Sequence, residues 1–152
     1  MSGQTITSRM AALGIVLPQA SEPAAKYVNI VQVNDLLFVS GKGPSGSPKG
    51  KLGKDFTTEE GYQFARQTGI EILAVLEADL GSLDRVKRVV KLQGFVNATP
   101  EFEKHHKVLN GCSDLMIDVF AERGVHARSV FGAVSVRDQL PIIVDSIFQI
   151  EV

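Results

Sequence analysis

Apolar and polar residues alternate along several stretches of this 152-residue chain, and such alternation is typical of half-buried β-strands. Residues 28–33 and 36–40 form two β-rich runs on either side of Asn34 and Asp35, a turn-forming pair, so together they predict a β-hairpin. Three further strands are predicted later in the chain, over 86–97, 128–135 and 142–151.

Two longer stretches follow the period of an amphipathic helix. The first begins where Thr57 and Glu60 have the spacing of a capping box, and it ends at Gly81. Gly69 lies in its interior, where glycine costs about 1 kcal/mol relative to alanine, so we expect it to let the helix lie close on the sheet. The apolar positions of this helix are Ala65, Gly69, Ile72, Leu73, Leu76 and Leu80.

The second amphipathic helix is predicted to open with Thr99 as N-cap and Pro100 at the first helical position. Gly124 is predicted to stop it. Its apolar stripe consists of Cys112, Leu115, Met116, Val119 and Phe120.

The predicted order of elements is β-β-α-β-α-β-β, which favours an α+β fold of two layers, a mixed sheet with two helices on one face. The length predicts a single domain over 1–152. Within its N-terminal segment, 1–22, a short helix is expected from Thr7 or Ser8 to Gly14.

The face of the sheet without helices carries apolar side chains. On the last strand, alternation places Ile143, Asp145 and Ile147 away from the helices, and Phe95 of the third strand lies on the same open side. So apolar a face is not expected to remain in contact with water, and we expect it to pack against other subunits. The opposite face of the third strand is predicted to carry Val90, Leu92, Gly94 and Val96.

Charge and composition limit the classes of function. The chain has 16 basic and 17 acidic residues and a net charge of -1, which disfavours nucleic acid and anionic membranes as partners. Cys112 is the single cysteine, so an intrachain disulfide is impossible and a reducing compartment is expected. The sequence contains no apolar run of the roughly 20 residues that span a membrane and no signal-peptide pattern, so we expect a cytoplasmic protein.

Two motifs are better explained by ordinary structural roles. The sequence GKGPSG at 41–46 has the glycine spacing of a dinucleotide-binding loop, but Pro44 and Pro48 prevent the helix that must follow directly. His105 and His106 are adjacent and point about 100° apart on a helix, which favours a solvated helix face over a metal site. Neither a metal nor a cofactor is therefore expected.

Arg128 is the most informative polar residue, because it opens an otherwise apolar strand. It is either an ordinary surface charge or a ligand for an anionic group. In the structural alternative, Asp145 would pair with it across strands. His126 lies two residues earlier and either belongs to the same site or closes the turn.

Three segments, taken in order and spacing, resemble the RidA/YjgF/UK114 family: KYVNIVQVNDLLFVSGKGP, LGSLDRVKRVVKLQGFVNATPEF and HARS. The terminal DSIFQIEV is similar to the last strand of that family. GKLGKD and NGCSDL resemble its longer subgroup, whose members are described as endoribonuclease L-PSP-like proteins.

This resemblance implies a chorismate-mutase-like fold and a homotrimer with a cleft at each subunit interface. It implies that Arg128 binds a substrate carboxylate, a role that suits a planar guanidinium because it can contact both oxygens. The other substrate-binding positions that it implies are Tyr27, Ser40, Gly41, Phe95 and the backbone carbonyl of Val130.

The activity that the resemblance implies is hydrolysis of 2-imino and enamine acids to 2-oxo acids and ammonia, as by a 2-iminobutanoate/2-iminopropanoate deaminase. The family orients the water with a glutamate on the last strand, but Ile143 occupies that position here, and Asp145 is the next carboxylate on the same face. Two alternatives remain: a non-catalytic metabolite-binding protein, and an endoribonuclease or translation inhibitor that binds RNA. The net charge of -1 disfavours the RNA-binding alternative.

Overall fold

The computed structural model describes residues 5–152, and over these residues it contains one five-stranded sheet of order β1-β2-β5-β3-β4. The strands are β1 (Ile30–Val33), β2 (Leu36–Lys42), β3 (Val86–Asn97), β4 (Ala127–Ala133) and β5 (Ile142–Ile150). The helices are α1 (Ile6–Ala12), α2 (Thr58–Leu80) and α3 (His105–Phe120). The predicted α+β fold and the predicted order of elements are confirmed.

The pairing of the strands follows from their connections. β1 and β2 form the predicted antiparallel hairpin, β5 pairs antiparallel with both β2 and β3, and β3 pairs parallel with β4. α3 makes the crossover between the two parallel neighbours, because parallel strands cannot be joined by a tight turn. This arrangement places β4 at one edge of the sheet.

Both long helices cover the same face of the sheet. Along β5, Ile142, Val144 and Phe148 are fully buried, whereas Ile143 and Ile147 between them are only partly buried. The predicted division of β5 into a helix-covered face and an open face is therefore confirmed.

The start of α2 agrees with the sequence. Thr57 Oγ1 accepts from the Glu60 backbone N–H at 3.1 Å, and the Glu60 carboxylate accepts from the Thr57 backbone N–H at 2.9 Å, so the predicted capping box is present. The helix ends at Gly81, whose φ of 81° is left-handed. α1 also forms, but it starts one or two residues before the predicted position, because Thr5 accepts from the Ser8 backbone N–H and caps it.

Gly69 does bring its helix close to a neighbouring element, but the predicted neighbour, the sheet, is wrong. A Cβ at this position would lie 2.6 Å from Leu115 Cδ2 and 3.2 Å from Cys112 Sγ, both on α3. The missing side chain therefore brings α2 close to α3 and not to the sheet. The sequence could show that a close approach was needed, but not which element would make it.

The predicted start of α3 is also wrong. Thr99 and Pro100 do not open a helix; the Phe102 N–H donates to Thr99 O at 3.2 Å in a turn, and α3 begins only at His105. The Thr99 N–H donates to Leu52 O at 3.1 Å, so the backbone of Thr99 continues the extended path of β3 against the preceding loop. Thr99 therefore makes a tertiary backbone contact with Leu52 and does not cap a helix.

The core face of β3 differs from the prediction in its first half. Val89 is fully buried and Val90 is only partly buried, because the register against β5 shifts between Val86 and Arg88 and again between Val89 and Lys91. Such bulges move side chains to the opposite face. Leu92 and Val96 lie in the core as expected.

No helix among residues 5–152 is long and apolar enough to cross a bilayer.

Candidate functional site

Arg128 lies near the start of β4 and points to the helix-covered face, because it pairs in register with the buried Leu92. Its guanidinium contacts α3. Nη1 donates to Asn110 Oδ1 at 2.9 Å and to Ser113 Oγ at 3.0 Å, and Nη2 donates to the His106 carbonyl at 3.2 Å. Three uncharged oxygens on successive turns of one helix therefore hold the cation at the edge of the sheet.

His126 belongs to the same network, so the question of its role has a structural answer. Its Nδ1 lies 2.6 Å from the Gly124 carbonyl and so carries the proton, which leaves Nε2 to accept from Ser113 Oγ at 2.9 Å. The Ser113 oxygen in turn accepts from Arg128. A chain of hydrogen bonds thus runs from the guanidinium through the serine to the imidazole.

Sequence reasoning missed Asn110 and Ser113. They lie one turn apart on α3, beside the apolar stripe that contains Cys112, and Ser113 is 8% exposed. The signal for them in the sequence was a pair of polar residues at helical spacing next to an apolar stripe. Such residues are common on helices, and only the register between β3 and β4 shows that they face Arg128.

The structural ion pair between Asp145 and Arg128 is not present. Asp145 pairs in register with Gln93, so β3 lies between the two residues, and Asp145 is on the open face of the sheet. Within the described part of the chain, no carboxylate lies within salt-bridge distance of Arg128. Three of the five guanidinium N–H groups have protein acceptors, so two remain for a ligand.

Tyr27, Ser40 and Gly41 lie near the end of β2, towards the opposite edge of the sheet from Arg128. Tyr27 is 44% exposed, and its hydroxyl accepts from the Ala24 N–H at 3.2 Å. Ser40 Oγ donates to the Val28 carbonyl at 2.8 Å. Tyr27 and Gly41 line one cavity of about 280 Å³, so the structure brings these two predicted residues together.

Lys42, which lines the same cavity, is a buried cation at the end of β2. It is 6% exposed, and its Nζ donates to Asn29 Oδ1 at 2.7 Å and to Ser21 Oγ at 2.9 Å. Burial lowers the pKa of its ammonium, and the nearby Glu71 carboxylate opposes part of that shift. Its hydrogen bonds tie residues 21–29 to the sheet.

Phe95, Ile143 and Asp145 lie together on the open face. Phe95 pairs in register with Ile143, and Gly41 lies so close to Ile143 that a Cβ there would be 2.8 Å from Ile143 Cγ2. Asp145 is one side-chain pair further along β5, opposite Gln93. Burial raises the pKa of the Asp145 carboxyl, while Lys91 opposes part of this shift.

One chain does not bring all the predicted residues together. Arg128 and Val130 lie on β4 at one edge, on the helix-covered side, whereas Gly41 and Asp145 lie on β2 and β5. β2 is three strands away from β4, which corresponds to roughly 14 Å at the usual strand spacing. The two groups are therefore too far apart in one chain for a small ligand to contact both.

The open face has more exposed apolar surface than the sequence predicted. Besides Phe95, Ile143 and Ile147, the strand registers place four further exposed apolar side chains there. These are Val31 at 52%, Val33 at 50%, Phe38 at 42% and Phe131 at 50% exposure. Phe95 and Phe131 stack with ring centroids 5.9 Å apart. The patch crosses the sheet from β1 to β4. Exposed apolar patches of this extent commonly mark an interface.

Comparison with known proteins covers nearly the whole chain. The family model described as "YjgF/chorismate mutase-like, putative endoribonuclease" matches residues 7–144. "Protein TCP17" of Trypanosoma cruzi is 39% identical over 150 residues, which make up 95% of this chain and 94% of that protein.

Two solved structures are similar in both sequence and fold. The Atu1372 protein of Agrobacterium tumefaciens, whose function is unknown, has a TM-score of 0.88 at 37% identity and covers 96% of this chain and 92% of its own. A "putative endoribonuclease" of Shewanella oneidensis has a TM-score of 0.93 at 29% identity, over 97% of this chain and 100% of its own. The match is therefore one of whole domains.

Proposed function

Because this chain belongs to the YjgF/chorismate mutase-like family, we propose that it binds small 2-oxo or 2-imino carboxylates between its subunits, with Arg128 as the carboxylate ligand. Tyr27, Gly41 and Phe95 of a neighbouring chain complete the site. The assembly is a homotrimer in which the open faces of three sheets pack together.

The observation that carries this proposal is the environment of Arg128. Its guanidinium is partly buried, and three neutral acceptors hold it on α3 without neutralising its charge. A cation in such a place favours an anionic partner, since desolvation costs free energy that neutral acceptors offset only in part. A carboxylate suits the two remaining N–H groups, because it offers two oxygens to a planar donor pair.

Hydrolysis of imines is the reaction that this site supports best. Water adds to the C=N carbon of a 2-imino acid, and the C–N bond then breaks to give a 2-oxo acid and ammonia. Asp145 serves as the general base, and its raised pKa brings its proton affinity closer to neutral pH than that of an ordinary aspartate. Because Ile143 replaces the nearer carboxylate of the family, we expect a slow enzyme, with a non-catalytic binding protein as the limiting case.

Binding of RNA is the less favoured function, although the family description includes the word endoribonuclease. Three lysines at the end of β2 and in the segment between β2 and α2 donate to protein oxygens. These are Lys42, Lys49, which donates to Asp138 O at 3.0 Å, and Lys51, which donates to Asn97 Oδ1 at 2.7 Å. Each of these ammonium groups is held against the protein, and with a net charge of -1 the chain has no excess of positive charge for phosphates.

Calorimetric titration with 2-oxobutyrate tests the proposal. Arg128→Ala should weaken binding by roughly 2–5 kcal/mol, the usual cost of removing one partner of a buried charge pair. Arg88→Ala is the matched control, because Arg88 is an exposed arginine that donates to a backbone oxygen, the Val125 carbonyl, at 3.3 Å. Unchanged affinity in a well-folded Arg128→Ala protein would remove Arg128 from the site. No binding by the wild type would overturn the proposed function.

A further inference from the structure

A second cavity, of about 490 Å³, lies at the far end of β4 from Arg128. Arg128 and Ala133 are five residues apart, which is about 17 Å along a strand, so this cavity is separate from the carboxylate site proposed above. Its volume lies in the range of small-molecule sites. The apolar residues that line it are Ala98, Pro100, Phe102, Ala133 and Val134.

The cavity also contains a cation, Lys51, whose position is fixed. Its Nζ donates to Asn97 Oδ1 at 2.7 Å and to the Val134 carbonyl. Asn97 is itself completely buried, and its Nδ2 donates to the Gly50 carbonyl at 3.2 Å, which directs its oxygen to the lysine. Two uncharged acceptors therefore hold the ammonium in one place.

The charge of Lys51 is not balanced locally. An ammonium has three N–H groups, and the protein provides acceptors for two of those of Lys51. No acidic residue of the part described, 5–152, lies within salt-bridge distance of it, and Glu and Asp are absent from the cavity lining. An anion in the cavity would take the third N–H and balance the charge.

His105 provides a second polar group. Its ring packs edge-to-face against Phe102 with centroids 5.1 Å apart, and it lies over Gly132, where a Cβ would be 2.7 Å from Nε2. The bare backbone of Gly132 thus makes room for an imidazole in the cavity wall. This ring adds a nitrogen to the cavity wall that can bind a polar group of a ligand.

From these contacts we infer that the cavity binds a small monocarboxylate with an apolar body. Lys51 binds the carboxylate, and the apolar walls cover the hydrocarbon part. A free phosphate fits less well, because it is polar on every side and needs several donors, whereas the walls are mostly apolar. This inference does not depend on Arg128 or on the proposed reaction.

Titration of ¹⁵N-labelled protein with hexanoate, followed by amide chemical shifts, tests the inference. We expect saturable shifts at Ala98, Gly132 and Ala133 with millimolar or tighter affinity, and much weaker shifts with the uncharged hexanol. Lys51→Met should weaken hexanoate binding roughly 10- to 100-fold, because it removes a charged hydrogen bond. Lys54→Met is the matched control, since Lys54 is an exposed lysine three residues after Lys51, and it should bind as the wild type does.

Ala133→Leu tests the cavity without changing its charge. Ala133 pairs in register with Asn97, so a larger side chain there extends over the same side as the acceptor of Lys51 and should block hexanoate. This variant decides the matter if Lys51→Met does not fold. Equal affinity in either folded variant, or an absence of shifts at the cavity in the wild type, would overturn the inference. Binding of 2-oxobutyrate at Arg128 would be unaffected by that outcome.

Discussion

At the scale of single residues, the position of the Arg128 guanidinium depends on Ser113. The serine oxygen accepts an N–H group of the guanidinium, and its own proton is donated to His126. Because neither Ser113 nor Asn110 is charged, the network orients the cation without neutralising it. A residue that contacts no ligand can therefore determine how well a ligand binds.

Ser113→Ala should lower the affinity for 2-oxobutyrate by roughly 1–2 kcal/mol, because it removes one acceptor and the link to His126. Ser113→Thr keeps the hydroxyl and should retain most of the affinity. Calorimetry on both variants, with thermal melts to show that they are folded, makes the comparison. If the alanine variant binds as tightly as the wild type, Ser113 does not position Arg128.

Asp145 gives a prediction for pH dependence. Burial raises the pKa of its carboxyl, and Lys91 opposes part of the shift. Because a general base acts only when deprotonated, imine hydrolysis should fall as the pH falls through this raised pKa, at a higher pH than for an ordinary aspartate. Ammonia release from imines generated in situ, measured against pH, would show this acid limb.

Two variants test whether Asp145 is the group that causes the loss of activity at low pH. Asp145→Asn should remove it and lower the rate by roughly 10²–10⁴-fold, the usual contribution of a general base. Ile143→Glu adds a carboxylate opposite Phe95 and should raise the rate. A rate that survives Asp145→Asn at every pH would show that Asp145 is not the base.

At the scale of elements, glycines bring α2 and α3 close together, and two of them, Gly69 and Gly111, meet different kinds of neighbour. A Cβ at Gly69 would meet the flexible end of Leu115, whereas a Cβ at Gly111 would overlap the backbone carbonyl of Tyr62. A side chain can shift locally, but a backbone carbonyl moves only with its helix. The two positions should therefore differ strongly in their tolerance of a methyl group.

Gly111→Ala should cost more than about 3 kcal/mol of the free energy of unfolding, because the helices must separate. Gly69→Ala should cost at most about 2 kcal/mol, since a gain in helix propensity of about 1 kcal/mol offsets part of the crowding. Denaturant unfolding of both variants measures the difference. Similar losses at the two positions would contradict this account of the helix contact.

How far the sequence could predict the elements depends on whether the decisive contacts were local. The capping box at Thr57 and the bounds of β3 were predicted correctly, because neighbouring residues determine them. The start of α3 and the core residue Val89 were not, because they depend on a bridge to Leu52 and on bulges against β5. The residues of the candidate site divide in the same way, into those that local sequence indicates and those that tertiary contacts determine.

Arg128 could be chosen from its place in the strand and from the family resemblance. Its three acceptors on α3 could not, since they depend on how a helix packs beside the edge of the sheet. The face to which Arg128 points was likewise set by its register with Leu92, a residue 36 positions earlier in a neighbouring strand.

At the scale of the whole molecule, the open face of the sheet is the main exposed apolar surface. Its exposed apolar side chains reach from Val31 on β1 to Phe131 on β4, and residues of the proposed site lie among them. Burying this face against other copies would remove apolar area from water, and the proposed site takes Arg128 from one chain and Gly41 from another.

We therefore expect sedimentation equilibrium at micromolar concentration to give three times the chain mass. Phe38→Glu, which places a charge within the apolar face, should shift the protein towards monomers and weaken 2-oxobutyrate binding at the same time. Lys87→Gln is the control, since it also makes the chain more negative by one unit, at an exposed residue of β3. A stable wild-type monomer would exclude both the trimer and a site between subunits.

The burial of Cys112 has a practical consequence for such experiments. It is the only thiol of the chain, it is enclosed between α2 and α3, and burial raises its pKa to about 12. Because maleimides react with the thiolate, the native protein should remain unlabelled at neutral pH. A cysteine introduced at Val31 would then be the single attachment point for a dye or spin label, and the association of the chains could be followed optically against a silent background.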